Sequence, residues 1–221
     1  MKELYFTSIS INRKAQAIKS AAEKLMPLNR IKFNPKKAAL LIIDMQNIFL
    51  KKNSSAFIPS APAIIPGLIQ LREKFDSINR PVLFTRHLNT RLNAGMMSRW
   101  WNGLISEKYK SSRISGEFDL SGADIIRKSQ YDAFFGTELE TILKKKKVSQ
   151  VVICGVMTHL CCETTARSAF IRGFEVFFAV DGTATYDEIF HRGTVINLAH
   201  GFAKPVLIND LLKLTGDCSG S

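Results

Sequence analysis

The chain has 221 residues, 46% of them hydrophobic, and 31 Lys and Arg against 19 Asp and Glu give it a formal net charge of +12. That length and apolar content suit one domain with one sizeable core. No apolar run approaches the roughly 18 residues that cross a bilayer, and the first 30 residues lack the continuous apolar stretch of a signal peptide.

The four cysteines have neither C-x-x-C nor Cys/His ligand spacing, which suggests no disulfide framework and no zinc site and points to a reducing, cytoplasmic compartment. A charge of this size can serve nucleic acid, a membrane surface or the gathering of anionic substrates. Here it is scattered. Its one dense block, Lys144-Lys145-Lys146-Lys147, ends a predicted helix, where lysines complement the macrodipole and stay in water. No aromatic-and-basic interleaving accompanies it, so a solvated surface is the reading, without a nucleic-acid or membrane partner.

Residues 1–37 form a basic lead-in. Ile11, Ala15, Ile18, Ala22 and Leu25 share one helical face, which predicts a short amphipathic helix near 12–26. Its scarcity of acids is shared with transit peptides; an arm docked on the core or on a neighbouring subunit is the preferred reading. Ala38-Ala39-Leu40-Leu41-Ile42-Ile43 is an unbroken apolar run, as expected of a central parallel strand buried on both faces. It leads into Asp44-Met45-Gln46. An acid just beyond such a strand falls at the carboxyl edge of the sheet, where open α/β folds place ligands; a turn-forming aspartate is the plainer alternative.

Residues 59–80 carry a helix lined by Ile64, Leu68, Leu71 and Phe75, and residues 81–85 a second strand entered through Pro81. Arg86-His87-Leu88-Asn89 follows at its carboxyl end. In the stretch Gly95-Met96-Met97-Ser98-Arg99-Trp100-Trp101-Asn102, one tryptophan is expected to wall a ligand pocket and the other to be core. Arg86 or Arg99 is available to pair with a substrate carboxylate. Residues 124–127 read as a short strand with Lys128 beyond it, Arg127 pointing to the opposite face. Thr137-Glu138-Leu139-Glu140 has a capping-box pattern that opens the helix ending in the lysine block.

Val151-Val152-Ile153-Cys154-Gly155 reads as a buried strand closed by a glycine. Thr158 is a candidate N-cap, and Leu160, Thr164, Ala166, Ala169 and Phe170 repeat with helical spacing. Cys161 then falls in the first helical turn, where unpaired N–H groups and the macrodipole favour a thiolate and lower a thiol pKa from about 8.5. A pair of buried structural cysteines, Cys161 and Cys162, is the plainer alternative. Residues 174–180 form a strand ending at Asp181, residues 188–202 a helix, residues 205–208 the last strand, and residues 216–221, with Cys218, a frayed tail. The alternation predicts one α/β/α layered domain, at 38–215, around a mostly parallel sheet of about six strands.

Gly155-Val156-Met157-Thr158-His159-Leu160-Cys161, followed by Thr164-Thr165-Ala166, resembles the G-V-x-T-x-x-C-V-x-x-T-A signature of the isochorismatase-like cysteine hydrolases, with Cys162 where valine is usual. Asp44-Met45-Gln46 resembles that family's L-I-x-D-M-Q motif, and Lys128-Ser129-Gln130-Tyr131-Asp132-Ala133-Phe134 its K-x-x-x-S/D-A-F element. The double-tryptophan segment and the lead-in resemble the isochorismatase-type branch, and the likeness spans residues 36–210.

The resemblance implies a Rossmann-like three-layer fold, a catalytic Asp44, Lys128 and Cys161, and an oxyanion site made by the amides of Met157, after a cis peptide, and Cys161. Trp100, Trp101, Arg86 and Gln46 are the substrate-binding candidates. It also implies a homo-oligomer acting on a small molecule without cofactor. The Asp-x-His ligand set of the metal-dependent nicotinamidase branch is missing around residues 86–89, so no metal is expected. Two chemistries stay open: amide hydrolysis through a Cys161 thioester, which Cys161 favours, and vinyl-ether hydrolysis with Asp44 as general acid, which the tryptophan segment favours. A basic binding protein without turnover, and a Cys–His enzyme using His159 or His191, are weaker alternatives.

Overall fold

The computed structural model describes residues 2–27, 31–101 and 103–216, the side chains of 214–216 excepted. Six strands form one all-parallel sheet: β1 (Ala38–Ile43), β2 (Val82–His87), β3 (Asp124–Lys128), β4 (Gln150–Val156), β5 (Glu175–Ala184) and β6 (Lys204–Val206), in the order β3-β2-β1-β4-β5-β6. Around it stand α1 (Ile11–Glu23), α2 (Asn47–Leu50), α3 (Ile65–Ser77), α4 (Met97–Trp100), α5 (Leu139–Lys145), α6 (Glu163–Ile171), α7 (Glu188–Gly201) and α8 (Ile208–Gly216). α3 packs with α8, and α7 packs with α1 and α6, so the sheet is the middle of three layers. Among the described residues no helix is long and apolar enough to cross a membrane.

Every residue of β1 and of β4 is buried, which is why both read as continuous apolar runs. From β1 the chain steps outward to β2 and β3, then returns to lay β4 on the other side of β1. The strand order reverses there, and the loops beyond the carboxyl ends of β1 and β4 part to leave a crevice. Gly155 pairs with Ile43 across this junction at a φ of +109°, and a Cβ there would overlap the Ile43 carbonyl. Only glycine fits.

Several elements differ from their sequence-based expectations. Leu25 lies beyond α1 and is exposed, whereas Ile11, Ala15, Ile18 and Ala22 are buried against the fold. Thr137 accepts from the Leu139 N–H, but Glu140 pairs with Lys144 and Arg172, so the reciprocal capping box does not form. β5 runs past Asp181, its expected end, and the Asp181 carboxylate accepts from the Ile208 N–H and so caps α8. The last strand ends at Val206, and its expected final residue, Ile208, instead opens α8. Cys218 lies outside the described residues.

Candidate active site

Asp44 follows β1 directly, in left-handed backbone conformation (φ 50°). Its N–H donates to Thr85 Oγ1 at 3.0 Å, and the Thr85 hydroxyl donates back to Asp44 Oδ1 at 2.6 Å. Lys128 is the last residue of β3. Its side chain crosses the end of β2 with no solvent exposure and brings Nζ to 2.7 Å from Asp44 Oδ2 and 3.3 Å from Cys161 Sγ. Asp44 Oδ2 receives no well-angled hydrogen bond, so it meets the ammonium as an ion pair and keeps a lone pair for the thiol. Asp44, Lys128 and Cys161 therefore converge from three separate strands.

Cys161 does not sit in the first turn of an α-helix. Thr158–Cys162 is a π-helical turn, and α6 begins only at Glu163. Thr158 caps nothing; its hydroxyl lies 3.2 Å from His191 Nδ1. The expected lowering of the thiol pKa is not found either. Burial pushes the Cys161 thiol up to about 12; Lys128 pulls it down, Asp44 pushes it further up. The resting group is a thiol beside a carboxylate and an ammonium. Burial opposes the Lys128 charge, but Asp44 and Cys161 together hold its pKa above the ordinary value. The peptide before Met157 is cis.

Two further side chains complete the cluster. His87 Nδ1 lies 3.2 Å from Lys128 Nζ, and His87 Nε2 lies 2.7 Å from Asn89 Oδ1. An ammonium can only donate, so Nδ1 accepts and Nε2 carries the proton that Asn89 receives. Asn89 Nδ2 in turn donates to Ser129 O at 2.7 Å. Burial and Lys128 lower the His87 pKa to about 4, so the ring is neutral at pH 7. Asp44, His87 and Cys161 offer ligand atoms within 4.8 Å of one another. The Lys128 ammonium stands among the three, however, and a metal ion there would face a like charge at close range.

A cavity of about 470 Å³ opens above Cys161. Phe49, Trp101, Tyr131 and Tyr186 give it aromatic walls, and the Trp101 indole donates to the Tyr131 hydroxyl at 2.7 Å. Ser55, His87 and Asn89 supply polar atoms, and Met157 borders it beside the cysteine. No charged side chain lines it among the described residues.

Of the expected substrate-binding residues, Trp101 alone reaches this cavity. Trp100 is 74% exposed and belongs neither to the wall nor to the core. The Arg86 guanidinium is turned to Ser112 and Glu107. Gln46 is fully buried and spends its amide on the backbone of His87 and Ser112. Arg99 does not line the cavity either. Thr85, His87 and Asn89 went unread as a set, yet they alternate along and just past β2, which puts them on one face at the carboxyl edge of the sheet.

The family model described as the Isochorismatase domain matches residues 38–210. The chain belongs to the isochorismatase family. It is 42% identical to "Nicotinamidase 3" of Arabidopsis thaliana over 175 residues, covering 77% of this chain and 84% of that one. It is 27% identical to "Enterobactin synthase component B" of Escherichia coli K12 over 192 residues, 85% of this chain and 67% of that one. Among solved structures, a cysteine hydrolase from Pseudomonas syringae pv. phaseolicola 1448A superposes with a TM-score of 0.83 at 22% identity, over 86% of this chain and 98% of the other, a likeness of fold. This isochorismatase-family chain is a hydrolase, and a small molecule is the fitting substrate for its cavity.

Proposed function

We propose that this hydrolase cleaves the C–N bond of a small, uncharged, ring-bearing carboxamide through a thioester on Cys161. The observation that carries the reading is Cys161 Sγ, 3.3 Å from a lysine that is itself 2.7 Å from Asp44, at the base of a cavity with aromatic walls and, among the described residues, no charged lining side chain. The Arabidopsis relative, by its name a nicotinamidase, supports an amide of that kind.

Asp44 takes the thiol proton as sulfur attacks the carbonyl carbon, and Lys128 stabilises the developing thiolate. The amides of Met157 and Cys161 hold the oxyanion. Asp44 returns its proton to the nitrogen, ammonia leaves, and the acyl group stays on sulfur. Water, deprotonated by the freed Asp44, then attacks the thioester; the carboxylic acid departs and the proton passes back to the thiol. Burial raises the Cys161 pKa and so disfavours a standing thiolate, which suits proton transfer to Asp44 concerted with attack.

Vinyl-ether hydrolysis with Asp44 as general acid is the rival. Its substrate, isochorismate, is anionic and would find no cationic side chain on these walls. The test is a panel of neutral carboxamides, their carboxylate-bearing analogues and isochorismate, read by mass spectrometry. A neutral aromatic carboxamide should turn over with kcat/KM about 100-fold or more above every anionic member, the preference expected when a buried charge lacks a partner. Turnover of isochorismate alone would contradict the proposal.

A further inference from the structure

The N-terminal segment lies outside the family match, yet it is sewn into the back of the active site. Tyr5 and Phe6 are 1% and 0% exposed, and both of their N–H groups donate to the buried Ser60 hydroxyl. The Tyr5 hydroxyl accepts from the Thr185 N–H at 2.9 Å and lies 3.1 Å from His191 Nδ1. The same nitrogen is 3.2 Å from the hydroxyl of Thr158, the first residue of the π-turn that carries Cys161. Burial keeps His191 neutral, its pKa lowered to about 3, and Nδ1 lies within hydrogen-bond reach of both hydroxyls, as acceptor or donor according to the tautomer.

The segment also braces the cavity wall. Glu3 N–H donates to Tyr186 O at 2.7 Å, Lys2 Nζ stands 4.6 Å from the centre of the Tyr186 ring, and the same ammonium donates to Ser55 O at 2.6 Å. Tyr186 and Ser55 both line the cavity. Beyond the bulk of Tyr5 and Phe6 and the acceptor it offers the buried Thr185 N–H, the strap brings a hydroxyl to the ring nitrogen that also faces Thr158.

We infer that Tyr5 is a positioning residue for the proposed reaction: through His191 and Thr158 it holds the π-turn so that Cys161 Sγ stays within reach of Lys128 Nζ. This rests on Cys161 being the nucleophile, and the experiment separates the two claims. Tyr5→Phe removes the hydroxyl and keeps the ring. Ile18→Val, a buried change elsewhere in the same arm, serves as the stability control. Cys161→Ala supplies the background.

The primary readout is the rate of Cys161 alkylation by iodoacetamide across pH 6–10, which needs no substrate; the second is kcat and KM with nicotinamide as the test amide. Across this window, which lies below the thiol pKa, Tyr5→Phe should lower the alkylation rate about threefold or more at each pH, as the thiol loses part of the Lys128 attraction. It should lower kcat about tenfold with KM within about twofold, the pattern of a misplaced reacting group. Ile18→Val should leave the profile where it was. A Tyr5→Phe enzyme that loses thermal stability but keeps the wild-type alkylation profile would overturn the inference. If Cys161→Ala keeps its turnover, it is the nucleophile assignment that fails, whatever Tyr5→Phe does.

Discussion

Lys128 has four neighbours for three protons, Asp44, Cys161, Gln130 O and His87 Nδ1, and the imidazole is the one side chain among them with no bond-making or proton-transfer role in the proposed reaction. Removing it leaves Asp44, Cys161 and Gln130 O for the three protons but takes away the contact that braces the ammonium from the β2 side. His87→Ala should therefore lower kcat by about 10–100-fold, whereas His87→Gln, which keeps an acceptor within reach, should retain more of the rate. Because burial and Lys128 hold His87 near pH 4, kcat should show no histidine ionisation between pH 5.5 and 8; a limb near 6.5 that vanishes in His87→Gln would contradict the assignment. At this scale the convergence of Asp44, Lys128 and Cys161 was legible in the sequence because each stands in a motif at or beyond the carboxyl end of a strand. The state of the thiol was not, since how deeply Cys161 is buried depends on what packs over it. Gln46 and Arg86 misled for a related reason: their motif neighbours are in the site, but their own side chains are claimed by backbone and by Glu107.

Among the elements, β1, β4 and α3 follow directly from their apolar patterns, while the strand-to-helix junction at residues 156–163 does not. Helical spacing cannot distinguish an α-turn capped by Thr158 from a π-turn whose Thr158 hydroxyl is taken by His191, a residue of α7 distant in the chain. Asp181 shows the same limit: its partner is the first N–H of α8, an element whose first residue was read as strand and whose body, residues 209–215, went unread. The end of α4 separates the two tryptophans sharply. Trp101 walls the cavity and bonds Tyr131; Trp100 faces water. Trp101→Ala should raise KM about tenfold, since an aromatic wall with a polar anchor is worth about 1.4 kcal/mol, and Trp100→Ala should change it less than about twofold. Steady-state kinetics of the two variants on one amide checks this, and equal effects would contradict the wall assignment.

For the whole molecule, the reversal of strand order beside β1 is what lets residues from β1, β3 and the end of β4 meet in one crevice. Among the described residues no member of the +12 surplus lines the cavity, in keeping with a neutral substrate. The buried titratable groups do make the fold sensitive to acid. Below pH 6.5 the unfolded chain protonates His87 and His191, while the folded chain refuses those protons until about pH 4 and about pH 3. Stability is therefore lost as pH falls, by about 1.4 kcal/mol per histidine per pH unit. Asp181 acts in the opposite sense: with its folded pKa raised to about 6 from 3.8, it takes up a proton earlier in the folded state and offsets one histidine in that window. The net slope still favours neutral pH, so the urea midpoint should fall between pH 7 and pH 5; a midpoint that rises would contradict the burial argument. The central claim, that this convergence exists to run thiol chemistry, is tested most directly by the turnover of Cys161→Ala on the amide found in the panel. Loss of activity to background, with Asp44→Asn comparably impaired, is the predicted result. A Cys161→Ala enzyme that keeps most of its rate while Asp44→Asn is dead would contradict it and assign the site to acid-catalysed vinyl-ether cleavage.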